Sequence, residues 1–176
     1  MKKYLLKIPL LLFLLIIGVF FYLLIIERDP RSVPSNLINK PVPIFETKSL
    51  LKEENFISTN EFGEEIILVN FFATWCKPCR DEHNYIELLS EKNGLRIIGI
   101  NYKDDSEKAK KWLKNLGNPY SNILVDKNGR IAIDWGVYGI PETFIVNSKG
   151  VIKYRHIGPI TEKIYKKFDK LITKIK

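Results

Sequence analysis

Apolar and polar positions along this chain fall into three patterns. The first is unbroken: Ile8 to Ile26 is a run of 19 residues without a charge. At about 1.5 Å per residue a helix of that length spans roughly 28 Å, close to the hydrocarbon thickness of a bilayer. Pro9 stands at its start, where a helix tolerates proline, and Gly18 in its middle is ordinary for a membrane helix. The second pattern is the short β-rich run. Residues 66–72 (IILVNFF) have buried-strand length, and 95–101 (LRIIGIN) read as the next strand. Ile123-Leu124-Val125 is a shorter one. Thr143–Val146 and Val151–Arg155 form a pair, joined by Asn147-Ser148-Lys149-Gly150 as a hairpin.

The third pattern is helical. After Cys79 a helix is predicted to about Ser90, with Tyr85, Ile86, Leu88 and Leu89 on its packed side and Asn93-Gly94 ending it. In Asp104–Leu116, Ala109, Trp112, Leu113 and Leu116 make one apolar stripe. Asp104 with Glu107 resembles a capping box, Gly117 fits the position past the helix end, and Asn118-Pro119 stops it. Asp126-Lys127-Asn128-Gly129 is a turn; Arg130–Trp135 fits a strand or a short helix. From Thr161 a last amphipathic helix carries Ile164, Phe168, Leu171, Ile172 and Ile175 on one face. The order β-α-β-α-(β)-β-β-α predicts an α/β fold whose central mixed sheet is flanked by helices: parallel strands first, an antiparallel hairpin late.

Between the apolar run and this body, residues 30–43 contain Pro30, Pro34, Pro41 and Pro43 among Ser32, Ser35, Asn36 and Asn39, a proline-stiffened linker. The chain therefore divides into a basic N-terminus (1–7), a span (8–26), a linker (27–40) and a folded body (41–176). A cleaved signal peptide is the competing reading of the span. Its apolar region would be about 7–15 residues followed by small residues. Here Glu27, Arg28, Asp29 and Pro30 follow a longer run, which favours an uncleaved transmembrane anchor. Lys2, Lys3 and Lys7 before the span place the N-terminus in the cytoplasm and the body outside, a bias that Arg28 and Arg31 weaken slightly.

Charge adds an exclusion. The net +8 is concentrated at the ends: +3 over residues 1–31 and +4 over 161–176, leaving +1 for the middle. No basic stripe crosses the body, so nucleic acid is not its partner. The basic ends read as a topology signal and a solvated helix face. Only two cysteines are present, too few for a disulfide framework. A Cys2His2 zinc site would need His83, four residues past Cys79 on the same helix, and the distant His156, so no metal is expected. His83 reads as a solvated helix position, and His156 as a residue that caps or packs.

The chemistry lies in Trp75-Cys76-Lys77-Pro78-Cys79, placed where a strand gives way to a helix. A helix start carries unpaired N–H groups and partial positive charge, so a thiolate at Cys76 is stabilised there and Cys76 is the expected nucleophile. Lys77 adds positive charge, and Pro78 suits a first helical turn. Cys79, one turn in, is placed to resolve a mixed disulfide. Position 80 is Arg, which rules out the Cys-x-x-Cys-His haem-attachment motif. Pro141 after Ile140 is consistent with a cis bond in a tight turn and equally with an ordinary strand-start proline. Glu142 either raises a nearby thiol's pKa or is a solvated carboxylate. Asn70, inside the strand leading to the dithiol, is either a bonded buried polar group or a strand-end residue.

Five stretches in order, 70–83 (NFFATWCKPCRDEH), 101–105 (NYKDD), 112–120 (WLKNLGNPY), 136–146 (GVYGIPETFIV) and 154–158 (YRHIG), resemble the thioredoxin superfamily. Within it they look closely like the membrane-anchored thiol:disulfide oxidoreductases of cytochrome c maturation, the CcmG or DsbE family. The resemblance implies a thioredoxin-like fold with an extra β-hairpin around residues 43–68, and a cis bond before Pro141 packed on the dithiol. It also implies site-tuning roles for Trp75, Lys77, Pro78, Pro141, Glu142 and Asn70. Thioredoxins usually carry a buried aspartate where this chain has Asn70, and Lys77-Pro78 departs from the Pro-Thr or Pro-Pro pairs common in the family.

The implied activity is reduction of the apocytochrome c Cys-x-x-Cys-His disulfide, met directly or through its thiol-handling chaperone. A membrane electron donor of the DsbD or CcdA type would recycle the protein. No cofactor is implied beyond the redox-active Cys76–Cys79 pair, and the location implied is a bacterial inner membrane with the body in the periplasm. Two other functions stay open: a broad-range periplasmic thiol–disulfide oxidoreductase, and a non-catalytic module that holds apocytochrome.

Overall fold

The computed structural model describes residues 7–25, 36–52, 54–62, 64–93 and 95–175. Helix α1 (Lys7–Ile25) is apolar throughout after Lys7 and has the length to cross a membrane. The expected basic N-terminus before Lys7, the last residue of the expected span, Ile26, and residues 27–35 of the expected linker lie outside the described residues, as do Gly94 and the chain's last lysine.

The body opens with β1 (Glu46–Lys48) and β2 (Phe56–Ser58), an antiparallel hairpin, followed by a 3-10 turn over Thr59–Phe62. This is the extra hairpin that the family resemblance implies. The main elements then follow: β3 (Ile67–Phe72), α2 (Lys77–Asn93), β4 (Arg96–Tyr102), α3 (Ser106–Leu116), β5 (Asn122–Asp126), α4 (Arg130–Asp134), β6 (Glu142–Val146), β7 (Ile152–Ile157) and α5 (Glu162–Ile175). The five-stranded sheet has the order β5-β4-β3-β6-β7. β3, β4 and β5 are mutually parallel, and β6 and β7 are antiparallel to their neighbours.

β3 is central, and all six of its residues are buried. That explains its apolar run, interrupted only by Asn70: a strand covered on both faces has no solvent-facing side to show. Alternation divides its side chains between two layers. Leu68 and Phe72 share a core with Ile86 and Leu89 of α2 and Phe168 and Ile172 of α5. Ile67, Val69 and Phe71 face Trp135, Phe144 and Phe62.

Several local expectations shift. Arg130–Trp135 resolves as a short helix: the Asp126 carboxylate accepts from Ile131 N–H (3.2 Å) and Ala132 N–H (2.9 Å), which caps its first turn. The cap of α3 is Asp105, not Asp104; its side chain accepts from Lys108 N–H at 2.9 Å. Leu88 is exposed, because the buried stripe of α2 runs through Cys79, Glu82, His83, Ile86 and Leu89. Ahead of Pro41, Leu37 and Ile38 pack against the Trp135 core, and Asn39 N–H donates to Ile152 O at 2.8 Å. Gly117 closes α3 at φ +94°, where a Cβ would lie 2.9 Å from Glu87 Oε1.

Candidate active site

The turn after β3 delivers the dithiol. Cys76 stands immediately before α2, and its own N–H returns to Ala73 O at 3.2 Å. Cys79 N–H points at Cys76 Sγ from 3.1 Å, so the helix start donates directly to that sulfur. The two cysteines form a disulfide with Cα atoms 5.3 Å apart. Cys76 keeps 5% of its surface exposed and Cys79 1%, so attack from outside meets Cys76 first. Lys77 and Pro78 are exposed beside them. The Ile140–Pro141 peptide bond is cis, and Ile140 O lies 3.7 Å from Cys76 Sγ.

Asp104 secures the turn. Its carboxylate accepts from Thr74 N–H (2.6 Å), Thr74 Oγ1 (2.8 Å) and Asn101 Nδ2 (3.0 Å). These bonds explain why Asp104 is not the helix cap. Trp75 donates Nε1–H to Lys103 O at 3.2 Å, which holds an indole that stays 59% exposed beside the dithiol.

On the α2 face of the sheet, a buried polar network lies beneath the motif. Asn70 Nδ2 donates to Glu82 Oε1 (2.9 Å) and to Thr143 Oγ1 (3.0 Å), and Tyr120 O–H donates to Asn70 Oδ1 (2.9 Å). Ile160 N–H donates to Glu82 Oε2 at 2.8 Å. Burial, opposed only by these neutral donors, pushes the Glu82 carboxyl up to about 8. Burial likewise holds Tyr120 well above its ordinary value, so its phenol remains a donor. Gly99, register partner of Asn70, makes room: a Cβ there would come within 3.0 Å of the Tyr120 ring, which stacks on Phe72 at 4.8 Å.

On the other face Glu142 is fully buried and pairs with Arg155 Nε at 2.7 Å. Its second oxygen accepts from Tyr138 N–H (2.9 Å) and Gly139 N–H (3.4 Å). The solvated reading of Glu142 therefore fails, and so does the strand-end reading of Asn70. His83 is also buried rather than solvated: four residues past Cys79, it shares the helix's inner face, bonds Gly117 O through Nε2 (3.1 Å) and meets Trp112 edge-on. His156 packs on Phe168.

Sequence reasoning passed over Glu82, Tyr120 and Arg155, and read Asp104 only as a helix cap. For Glu82 a signal existed, since a charged residue three positions from Cys79 and four from Ile86 interrupts an inward stripe. For Tyr120 and Arg155 no local signal exists.

A dithiol opening a helix after a central parallel strand, with a cis-proline loop against its outer sulfur, defines the class of thioredoxin-fold thiol–disulfide oxidoreductases. The comparisons with known proteins agree. The Redoxin family matches residues 37–172. The thiol:disulfide interchange protein DsbE of Escherichia coli (strain K12) is 43% identical over 169 residues, covering 94% of this chain and 91% of that protein. The DsbE of Haemophilus influenzae is 47% identical over 172 residues, covering 94% and 92%. The crystal structure of a DsbF homologue from Corynebacterium diphtheriae matches with a TM-score of 0.69 at 19% identity, covering 84% of this chain and 96% of that one, which speaks to the fold alone. The chain belongs to the redoxins and, within them, to the DsbE family of thiol:disulfide interchange proteins. It is a thiol–disulfide oxidoreductase.

Proposed function

We propose that this chain is a membrane-anchored reductant that opens the disulfide of the apocytochrome c Cys-x-x-Cys-His segment during cytochrome c maturation. The observation that carries this reading is a cysteine pair in which Cys76 keeps 5% of its surface exposed and Cys79 1%, in a chain 43–47% identical to DsbE proteins. The reduced Cys76 thiolate attacks one sulfur of the substrate disulfide. A Cys76–substrate bond forms, and the second substrate sulfur leaves as thiolate and takes a proton. Cys79 then loses its proton and attacks Cys76 Sγ. The Cys76–Cys79 disulfide forms, and the first substrate sulfur leaves and is protonated in turn. Two electrons have passed to the substrate.

Glu82 lies one turn beyond Cys79 on the same buried helix face, and its ionised form, the minority form below about 8, takes the Cys79 proton in this reading. A membrane electron donor of the DsbD or CcdA type returns the pair to the dithiol, and no further cofactor takes part. α1 anchors the chain, with its N-terminus in the cytoplasm and the body in the periplasm.

Cys79→Ser tests this. Without the resolving thiol, Cys76 holds its substrate as a stable mixed disulfide, and adducts purified from cells are identified by mass spectrometry. The expected set is dominated by apocytochrome c or its thiol-handling partners. A long set of unrelated exported proteins replaces this reading with a broad-range oxidoreductase. An empty set from folded protein supports a holding module instead.

A further inference from the structure

Residues 136–141 form the loop that meets the dithiol, and their sequence gives them little reason to stay in place. They contain Gly136 and Gly139, and they belong to no helix or strand. Yet three of their backbone groups are tied to one ion pair. Arg155 Nη2 donates to Gly136 O at 2.8 Å, while Glu142 Oε1 accepts from Tyr138 N–H and Gly139 N–H. Arg155 and Glu142 are joined at 2.7 Å, and both are buried, at 4% and 0% exposed. The Tyr138 ring lies 4.8 Å above the guanidinium but is itself 70% exposed. At its far end the loop is pinned by Gly158 N–H to Pro141 O (2.9 Å) and delivers Ile140 O to within 3.7 Å of Cys76 Sγ.

A buried ion pair is a poor source of stability, since desolvation of both charges offsets their attraction and an apolar pair of similar volume does as well or better. What this pair supplies is geometry. A guanidinium is a rigid planar fork that serves a carboxylate and a carbonyl at once; a lysine ammonium is a point charge and cannot. Arg155 comes from β7, next to β6 in the sheet, so the loop is referenced to the framework that also carries the dithiol.

We propose that Arg155 is a positioning residue for exchange with polypeptide disulfides: with Glu142 it locks the Gly136–Pro141 loop so that Ile140 and Tyr138 meet the incoming chain beside Cys76. A small disulfide needs only the sulfur; a polypeptide must also seat on the loop. The inference depends on exchange at Cys76–Cys79 and not on which protein is the substrate.

The test uses the full chain in detergent and two variants. R155M/E142L removes both charges together, so no lone charge is buried and the chain folds. R155K keeps Glu142 paired but gives up the bond to Gly136 O. Reduced protein is assayed against an oxidised Cys-Ala-Ala-Cys decapeptide and against bis(2-hydroxyethyl) disulfide, and amide hydrogen exchange is read at Tyr138 and Gly139. In R155M/E142L the two amides lose protection, and kcat/KM for the peptide falls about tenfold, carried by KM, while the small-disulfide rate falls less than about threefold. R155K falls between wild type and the double variant. Equal losses for both disulfides, a peptide rate within about twofold of wild type, or amides that stay protected would each overturn the proposal.

Discussion

Two glutamates lie at full burial on opposite faces of the same sheet, and they do different things. Glu82, on α2, faces uncharged donors: an asparagine amide and a backbone N–H. Glu142, at the start of β6, faces a guanidinium and two backbone N–H groups. Burial penalises the charged form in both places. Where only neutral donors oppose it, the carboxyl holds its proton to about 8 and becomes a group that can exchange one. Where a cation meets it, the carboxylate is half of an ion pair that organises a loop. The residue type settles neither role; the charge of the nearest partner does.

The comparison predicts opposite signs for the same substitution. The largest effect concerns Glu82 and pH. Its folded-state carboxyl lies near 8, above the ordinary 4.5, so the fold binds this proton more tightly than the unfolded chain does. The resulting stability is fully present below about 4.5 and is lost as pH rises toward 8. Glu82→Gln removes that dependence. Measured by urea denaturation of the oxidised protein, the variant should gain about 4 kcal/mol on wild type between pH 4.5 and 9. A flat difference across that range would show that Glu82 is not held protonated, and the contrast would collapse.

Glu142→Gln should move the other way, losing about 3 kcal/mol at pH 7 because Arg155 is left buried and unpaired. The figure sits at the low end for such a break because the glutamine amide oxygen still accepts from Tyr138 and Gly139. A neutral or stabilising result would mean the two carboxyls are equivalent after all. The smallest effect sharpens the Glu82 side. Tyr120→Phe keeps the stack on Phe72 but removes the O–H donor to Asn70, costing about 1 kcal/mol in the same assay. A much larger loss would place the contribution in the aromatic packing instead of the network.

What could be read in advance follows from locality. The apolar run of β3, the stripes of α3 and α5 and the hairpin at Asn147–Gly150 are each patterns within a few residues, and each element forms where its pattern lies. The placement of Cys76 at a helix start is local too, since strand, turn and helix are contiguous in the chain. Errors arose where a residue's role depended on a distant partner. Asp104 has the spacing of a helix cap, but Thr74, 30 residues earlier, claims its carboxylate. His83 reads as solvent-facing because polar side chains usually are, and for Glu142 the solvated reading stands beside that of a charge near the thiols; both residues are enclosed by other segments.

By itself, then, the sequence determined most of the secondary elements, though not the Glu46–Ser58 hairpin or the helical state of Arg130–Asp134, together with a span of membrane-helix length and the position of the dithiol, because hydrophobic periodicity and helix-end electrostatics act over a few residues. Only the tertiary structure decided the electrostatics around that dithiol. Glu82 finds Ile160 across 78 residues, Tyr120 finds Asn70 across 50, and Arg155 reaches Glu142 across 13 and Gly136 across 19. The physical reason is that burial raises the cost of every unpaired polar group, so each charge takes its role from whichever partner the packed sheet brings within about 3 Å.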